Sequence, residues 1–228
     1  MTLEVWHVDP TRTRDLAPRL LDAHGHPRVV PASVLADTTS PERLRFGVTH
    51  GIYAFLTEEL VDWLQSFIAG RTAIEIGAGH GQLAQALGIP ATDNRQQEEA
   101  TLRSYYASLG QPTVRYGDHV EKLDAAAAVI HYRPQVVIAA WVTHRYDPTR
   151  PDAGGSETGV DEAAIVATCD AYVFIGNTHV HRQKPINTLP HRRITPPWLY
   201  SRAINGSPDF IGIWQRSEVD ASRGDTWP

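Results

Sequence analysis

The sequence predicts an α/β fold: a seven-stranded, mostly parallel sheet with helices on both faces, plus an N-terminal cap of short helices and turns. Three observations carry that expectation. Strand-like and helix-like segments alternate from residue 71 to residue 175. Within them, the apolar run Ala73, Ile74, Ile76 leads into a glycine-rich turn and then a helix-forming segment from Gln82 to Leu87. Two long irregular connections, 143–159 and 177–197, follow strand ends, where open α/β sheets bind ligands.

The elements follow in order. Pro10, Pro18, Pro27, Pro31 and Pro41 punctuate residues 1–50. Proline lacks an amide donor and crowds the preceding turn, so that spacing predicts short helices and turns only. The cap is expected over 1–53 and the main domain over 54–228. Across 54–69, Leu56, Leu60, Trp63, Leu64, Phe67 and Ile68 recur at helical spacing on one face. Thr57 with Glu58 and Glu59 marks the start of that helix, and Gly70 its stop. Strands are expected at 71–76, 89–92, 113–116, 135–142, 171–175 and 209–215, with the last strand of the sheet antiparallel. Helices are expected at 82–87, 96–109, 121–131 and 161–169.

A chain of 228 residues can bury a sizeable core, and 42% hydrophobic with 21% charged residues is ordinary for a globular protein. The net charge of −5, from 21 Lys and Arg against 26 Asp and Glu, disfavours a dedicated nucleic-acid binder, which needs a basic excess to neutralise phosphates. Cys169 is the only cysteine, so neither an intrachain disulfide nor a cysteine zinc cluster can form. Residues 1–21 have no apolar core of signal-peptide length, and no apolar run reaches transmembrane length. A cytoplasmic protein with no membrane partner is the expectation.

Residues 73–81 read Ala-Ile-Glu-Ile-Gly-Ala-Gly-His-Gly. Glycines in such a turn let a backbone approach a ligand with no side chain in the way. A dinucleotide fingerprint needs its third glycine at position 82, which is Gln82, and a phosphate-gripping loop needs Gly-Lys-Ser/Thr, which is absent. An acid two residues before the first glycine and a G-x-G-x-G turn remain. This pattern resembles the first motif of the class I (Rossmann-like) S-adenosylmethionine (SAM)-dependent methyltransferases.

The resemblance implies a cofactor site. Glu75, Gly77, Ala78, Gly79 and Gly81 would lie along the methionine part of SAM. An acid ending strand two would bond the ribose hydroxyls, and Asp93 follows 89–92. An acid after strand three would approach the adenine amino group, and Asp118 holds that place. Taken singly, Glu75 reads equally as a loop-stabilising acid, Asp93 as a helix cap and Asp118 as a turn residue. Their joint placement at three successive strand ends favours the ligand reading. After strand four, Ala139-Ala140-Trp141-Val142-Thr143-His144 lacks the Asp/Asn-Pro-Pro-Tyr/Phe of the amino-methyltransferases that act on DNA bases or protein glutamine. Trp141 is either a core-packing ring or a cover over the adenine or the sulfonium.

His144 lies just past strand four, where a general base near the methyl group would stand, and imidazole titrates near neutral pH. No metal is expected: His179 and His181, two apart on an extended segment, point to opposite faces, and no H-x-x-x-H pair occurs. His50, Tyr53, Tyr146 and Asn177 are substrate or lid candidates by position. The implied activity is methyl transfer from SAM to an oxygen or nitrogen of a small-molecule substrate. Two alternatives keep the same site: cyclisation, cleavage or aminopropyl-type transfer of SAM itself, and a catalytically silent SAM-binding protein.

Overall fold

The computed structural model describes residues 10–216; residues 1–9 of the expected cap and 217–228 of the expected domain lie outside them. The cap region holds α1 (Ala17–Leu20), α2 (Ala32–Ala36) and α3 (Ser40–His50). The eleven-residue α3 is longer than the proline spacing predicts. Pro41 sits in its first turn, where amides have no intrahelical partner and a missing N–H costs nothing. Thr39 and Glu42 close a capping box at that end. Leu16, Leu20, Val30, Leu35, Phe46, Ile52 and Phe55 form a small apolar cluster of their own.

α4 (Glu58–Ile68) starts at Thr57, whose hydroxyl accepts the Leu60 amide at 3.1 Å. Such a cap stabilises a helix by about 1 kcal/mol. Leu60, Val61, Leu64 and Ile68 are buried against one sheet face. Then come β1 (Ala73–Ile76), α5 (Gln82–Leu87), β2 (Ala91–Asp93), α6 (Ala100–Ser108), β3 (Val120–Lys122), α7 (Ala125–Tyr132), β4 (Val136–Ala140), α8 (Glu162–Val166), β5 (Ala171–Asn177), β6 (Arg192–Ile194) and β7 (Asp209–Gln215).

The seven strands lie in the order β3-β2-β1-β4-β5-β7-β6. The first five pair in parallel, and β7 runs antiparallel to both β5 and β6. The fold is therefore the expected Rossmann-like α/β sheet. It differs from the dinucleotide-binding order 3-2-1-4-5-6 by the antiparallel strand inserted beside β5. The central strands β1 and β5 are buried throughout, as parallel strands covered on both faces require. Two clusters fill the two faces, one around Phe174, Tyr172, Trp214 and Phe210, the other around Leu60, Leu64, Ile138 and Ile211.

Strand three departs from expectation. Residues 113–116 are irregular, and β3 pairs Val120, Glu121 and Lys122 with Ala91, Thr92 and Asp93. The reason is local: Val114 donates its amide to Gln97 Oε1 at 2.7 Å rather than to a neighbouring strand. The helix expected at 121–131 accordingly starts later, at Ala125 behind the Asp124 cap. The helix expected at 96–109 breaks into a 3-10 turn, Gln96–Glu98, and α6. The edge strand β6 lies inside the connection expected to be a loop. Among the described residues, no helix is long and apolar enough to cross a membrane, and no group of His, Cys, Asp and Glu is placed to hold a metal ion.

Candidate functional site

A cavity of about 700 Å³ opens where β1, β2 and β4 end at their carboxyl edges. That volume suits a small ligand. Its floor is the glycine turn. Gly77 and Gly79 have φ of 58° and 55°, a left-handed backbone that side chains resist. A β-carbon on Gly77 would stand 2.4 Å from Val142 Cγ1, so the turn and the exit of β4 touch backbone to side chain. The turn is pinned to β2 by Ala78 N to Thr92 O at 3.0 Å and Gly79 N to Asp93 Oδ2 at 2.9 Å.

Two carboxylates lie beneath and beside it. Glu75 is 2% exposed and accepts the Ala84 amide of α5 at 2.8 Å. Burial pushes its pKa up to about 8, only partly opposed by that hydrogen bond. Asp93 lines the cavity and accepts Gly79 N through one oxygen and Arg95 N, at 2.7 Å, through the other. Burial raises its pKa too, against the pull of those two amides. A carboxylate has about four acceptor positions, so Asp93 keeps capacity for hydroxyl donors.

The walls are aromatic. Trp141 lines the cavity with φ of 58°, an outlier for a bulky residue. Such a backbone costs on the order of 1–3 kcal/mol and persists only where the surroundings enforce it. Here Trp141 N donates to Ile175 O at 2.9 Å, and its ring meets Tyr53 at 6.0 Å and, edge to face, His181 at 4.9 Å. Tyr53 and Tyr106 approach hydroxyl to hydroxyl at 3.5 Å, joining the N-terminal segment to α6 across the cavity. Gln97 donates through its side chain to Tyr106 and through its backbone to Tyr116. On the far rim, Asn94 Nδ2 donates to Thr158 O at 3.1 Å and Gln96 accepts the Thr158 hydroxyl, tying the long loop after β4 to the exit of β2.

The charge of the lining is one-sided. Asp93, Glu99, Asp124, Glu157 and Asp161, with the buried and protonated Glu75, face Arg145 and His80. His80 is held neutral, its pKa pushed down to about 4 chiefly by burial. A pyrophosphate would find one cationic side chain in this lining, whereas a sulfonium and an ammonium find carboxylates.

Of the residues singled out in the sequence, Glu75, Gly77, Ala78, Gly79, Asp93, Trp141 and Tyr53 meet in this cavity. The others do not. Gly81, at φ 75°, starts α5 and packs under Val120 and His119. Asp118 is exposed on the turn that enters β3, because the strand begins after it rather than before it. Asp124, at the other end of β3, lines the cavity while its Oδ1 caps α7 through Ala126 N and Ala127 N. His144 lies in an extended bridge with Val160. Its neighbours Thr143 and Arg145 line the cavity and it does not, as alternation along extended backbone dictates. Its ring is buried, with Nε2 lacking a hydrogen-bond partner and the pKa lowered chiefly by burial. Tyr146 is 40% exposed and outside the lining. His50 ends α3, packs at a tilt against Phe46 with ring centres 4.8 Å apart, and offers its backbone to the His80 ring. Asn177 is structural: its amide donates to Asp209 Oδ1 at 2.9 Å and Ser207 O at 3.0 Å, and its oxygen accepts from Asn205 at 2.8 Å.

Sequence reasoning missed Gln97, Tyr106 and Tyr116. Each comes from the stretch whose strand and helix bounds were misplaced, so no spacing signal pointed to them.

No protein-family model matches the chain, and no curated protein matches it. Among solved structures, WbdD in complex with the kinase inhibitor LY294002 aligns over 70% of this chain and 41% of its own, at 11% identity and a TM-score of 0.40. The chain thus spans well under half of that protein. Thermoplasma acidophilum 1320 aligns over 69% of this chain and 89% of its own, at 16% identity and a TM-score of 0.31.

Proposed function

We propose that the chain binds SAM in this cavity and transfers its methyl group to an oxygen or nitrogen of a small molecule. The observation that carries the reading is the joined unit of glycine turn and Asp93, set in a lining with five carboxylates, Asp93 among them, and Arg145 as its one charged cation. Gly77 and Gly79 bring bare backbone to the cavity floor, Asp93 offers acceptors for ribose hydroxyls, and the acidic lining suits the cationic groups of SAM. Bound SAM supplies an electrophilic methyl on sulfur. The chain's own task is then alignment and exclusion of water, for which Tyr53, Tyr106 and Trp141 supply the walls. The buried His144, outside the lining, is not assigned a proton-transfer role.

Thermal unfolding with SAM, S-adenosylhomocysteine and NAD tests the binding reading, because a ligand of the native state raises the melting temperature. A shift with SAM and S-adenosylhomocysteine but not NAD is expected; a shift with NAD alone would sink it. Mass spectrometry after incubation with SAM and a panel of small alcohols, phenols and amines tests the chemistry. S-adenosylhomocysteine with a methylated acceptor supports methyl transfer, whereas methylthioadenosine without one assigns SAM as the chain's own substrate.

A further inference from the structure

Both long connections of the sheet send a charged side chain to the same buried point. Glu162 opens α8 at the end of the connection after β4, and Lys184 lies in the connection after β5. Both are 3% exposed. Lys184 Nζ lies 2.8 Å from Glu162 Oε2, donates to the Val142 carbonyl at 2.8 Å, and sits 4.5 Å from the centre of the Phe174 ring. Glu162 Oε1 accepts the buried Tyr172 hydroxyl at 2.8 Å. Removing an ammonium and a carboxylate from water is costly, and an apolar pair of equal volume would often serve stability as well. The pair therefore asks for an explanation beyond stability.

Its third partner supplies one. The carbonyl it holds belongs to Val142, whose side chain stands where a β-carbon of Gly77 would be, and which follows the strained Trp141. Nothing in the covalent chain favours the left-handed backbone at Trp141. A donor fixed one residue later, together with the Trp141 amide bonded to Ile175 O, pins the segment on both sides. We propose that Lys184, charge-paired with Glu162, is a positioning residue for the cavity: by holding the Val142 carbonyl it keeps Val142 against the glycine turn and Trp141 in the wall. Its importance for cofactor affinity rests on the SAM reading above; its grip on the β4 exit does not.

The test uses the full chain as Lys184→Met and as the double variant Lys184→Met/Glu162→Gln. The single variant leaves a buried carboxylate unpaired and melts earlier. The double variant removes that charge, keeps an acceptor for Tyr172, and recovers much of the melting temperature. Amide hydrogen exchange of the ligand-free protein is the deciding readout. In the double variant, exchange of the Trp141, Ala78 and Gly79 amides should rise by about tenfold or more while α4 stays as in the parent. Affinity for S-adenosylhomocysteine should fall by about tenfold or more even though stability has returned. Parental exchange at those three amides in the double variant would overturn the proposal, as would parental affinity. If the parent protein itself binds no S-adenosylhomocysteine, the SAM reading fails, and exchange alone decides the positioning role.

Discussion

Asp93 Oδ2 accepts the Gly79 amide at 2.9 Å, so the acid that ends β2 and the middle glycine of the turn form one hydrogen-bonded unit. The acid fixes the turn, and the turn brings its backbone to the ligand. Asp93→Ala therefore removes both a ligand acceptor and the partner of two amides, those of Gly79 and Arg95. Affinity for S-adenosylhomocysteine should weaken by about 1–3 kcal/mol, as for a lost charge-assisted hydrogen-bond pair. Titration calorimetry measures it. An unchanged dissociation constant would move the ribose role to another acid of the lining, with Glu99 next to consider.

Gly77 and Gly79 share a left-handed backbone but not a neighbourhood. A β-carbon on Gly77 meets Val142 Cγ1 at 2.4 Å, whereas one on Gly79 meets Val114 Cγ1 at 3.3 Å. Both alanine variants carry about 1–2 kcal/mol of backbone strain. Gly77→Ala adds a steric conflict with the wall, so it should lower the melting temperature more than Gly79→Ala. Gly79→Val, by contrast, should leave the protein folded and abolish binding of S-adenosylhomocysteine. Melting curves with and without that ligand separate the two effects. Equal destabilisation by the two alanines would mean that Val142 yields easily.

Glu75 makes stability depend on pH in a particular direction. Its folded-state pKa is about 8, against about 4.5 in the unfolded chain. The folded state thus holds a proton that the unfolded state has already released, and this contribution is full below the lower value and lost as pH rises through the upper one. His80 and His181 work oppositely: burial first, with their pKa values pushed down to about 4 and about 3, makes the folded state lose stability as pH falls below 6.5. The window from about pH 6.5 to about pH 8 isolates Glu75 from both histidines. Urea unfolding should show stability falling across it, and Glu75→Gln, which keeps an acceptor for Ala84, should flatten that fall. A parental slope in the variant would mean that another group carries the proton.

The sheet was legible because its signals were local and redundant. The helices α4 and α5 and the strand β7 stand where periodicity, caps and apolar runs put them. The glycine turn and Asp93 were legible for the same reason, lying on one short strand–turn–helix–strand unit. Failures came where tertiary contacts overrode local preference. Residues 113–116 have strand-forming side chains, yet Gln97 takes the Val114 amide and β3 forms later, which moves Asp118 out of the site and brings Asp124 in. His144 was misread because position along the chain does not reveal which way one residue of an extended segment faces. The Lys184–Glu162 pair left no signal at all, since its partners lie 22 residues apart, one at the start of α8 and the other on the irregular connection after β5.

The cavity is roofed by segments that meet across it through few contacts, which predicts where binding will be felt. Residues 51–54 line it from the N-terminal side, and residues 157–161 from the loop after β4. The first segment is held by Phe55 N to Tyr200 O, Arg202 N to Tyr53 O, and the Tyr53–Tyr106 hydroxyl contact. The second is held by Val160 N to Thr143 O and Arg145 N to Val160 O, both 2.9 Å, and by Thr158 to Asn94 and Gln96. Isolated links of this kind, outside the ladders of the sheet, are the weaker part of a fold, and openings there lie well below global unfolding in free energy. A ligand that touches both roof and floor must raise the cost of those openings. Amide exchange with and without S-adenosylhomocysteine should therefore show added protection in 51–54 and in 157–161, alongside the glycine turn. Closure over the ligand would leave room for a small acceptor and exclude water from a reactive methyl donor. Protection confined to the glycine turn would describe an open site, and the small-molecule acceptor would then give way to a macromolecular one.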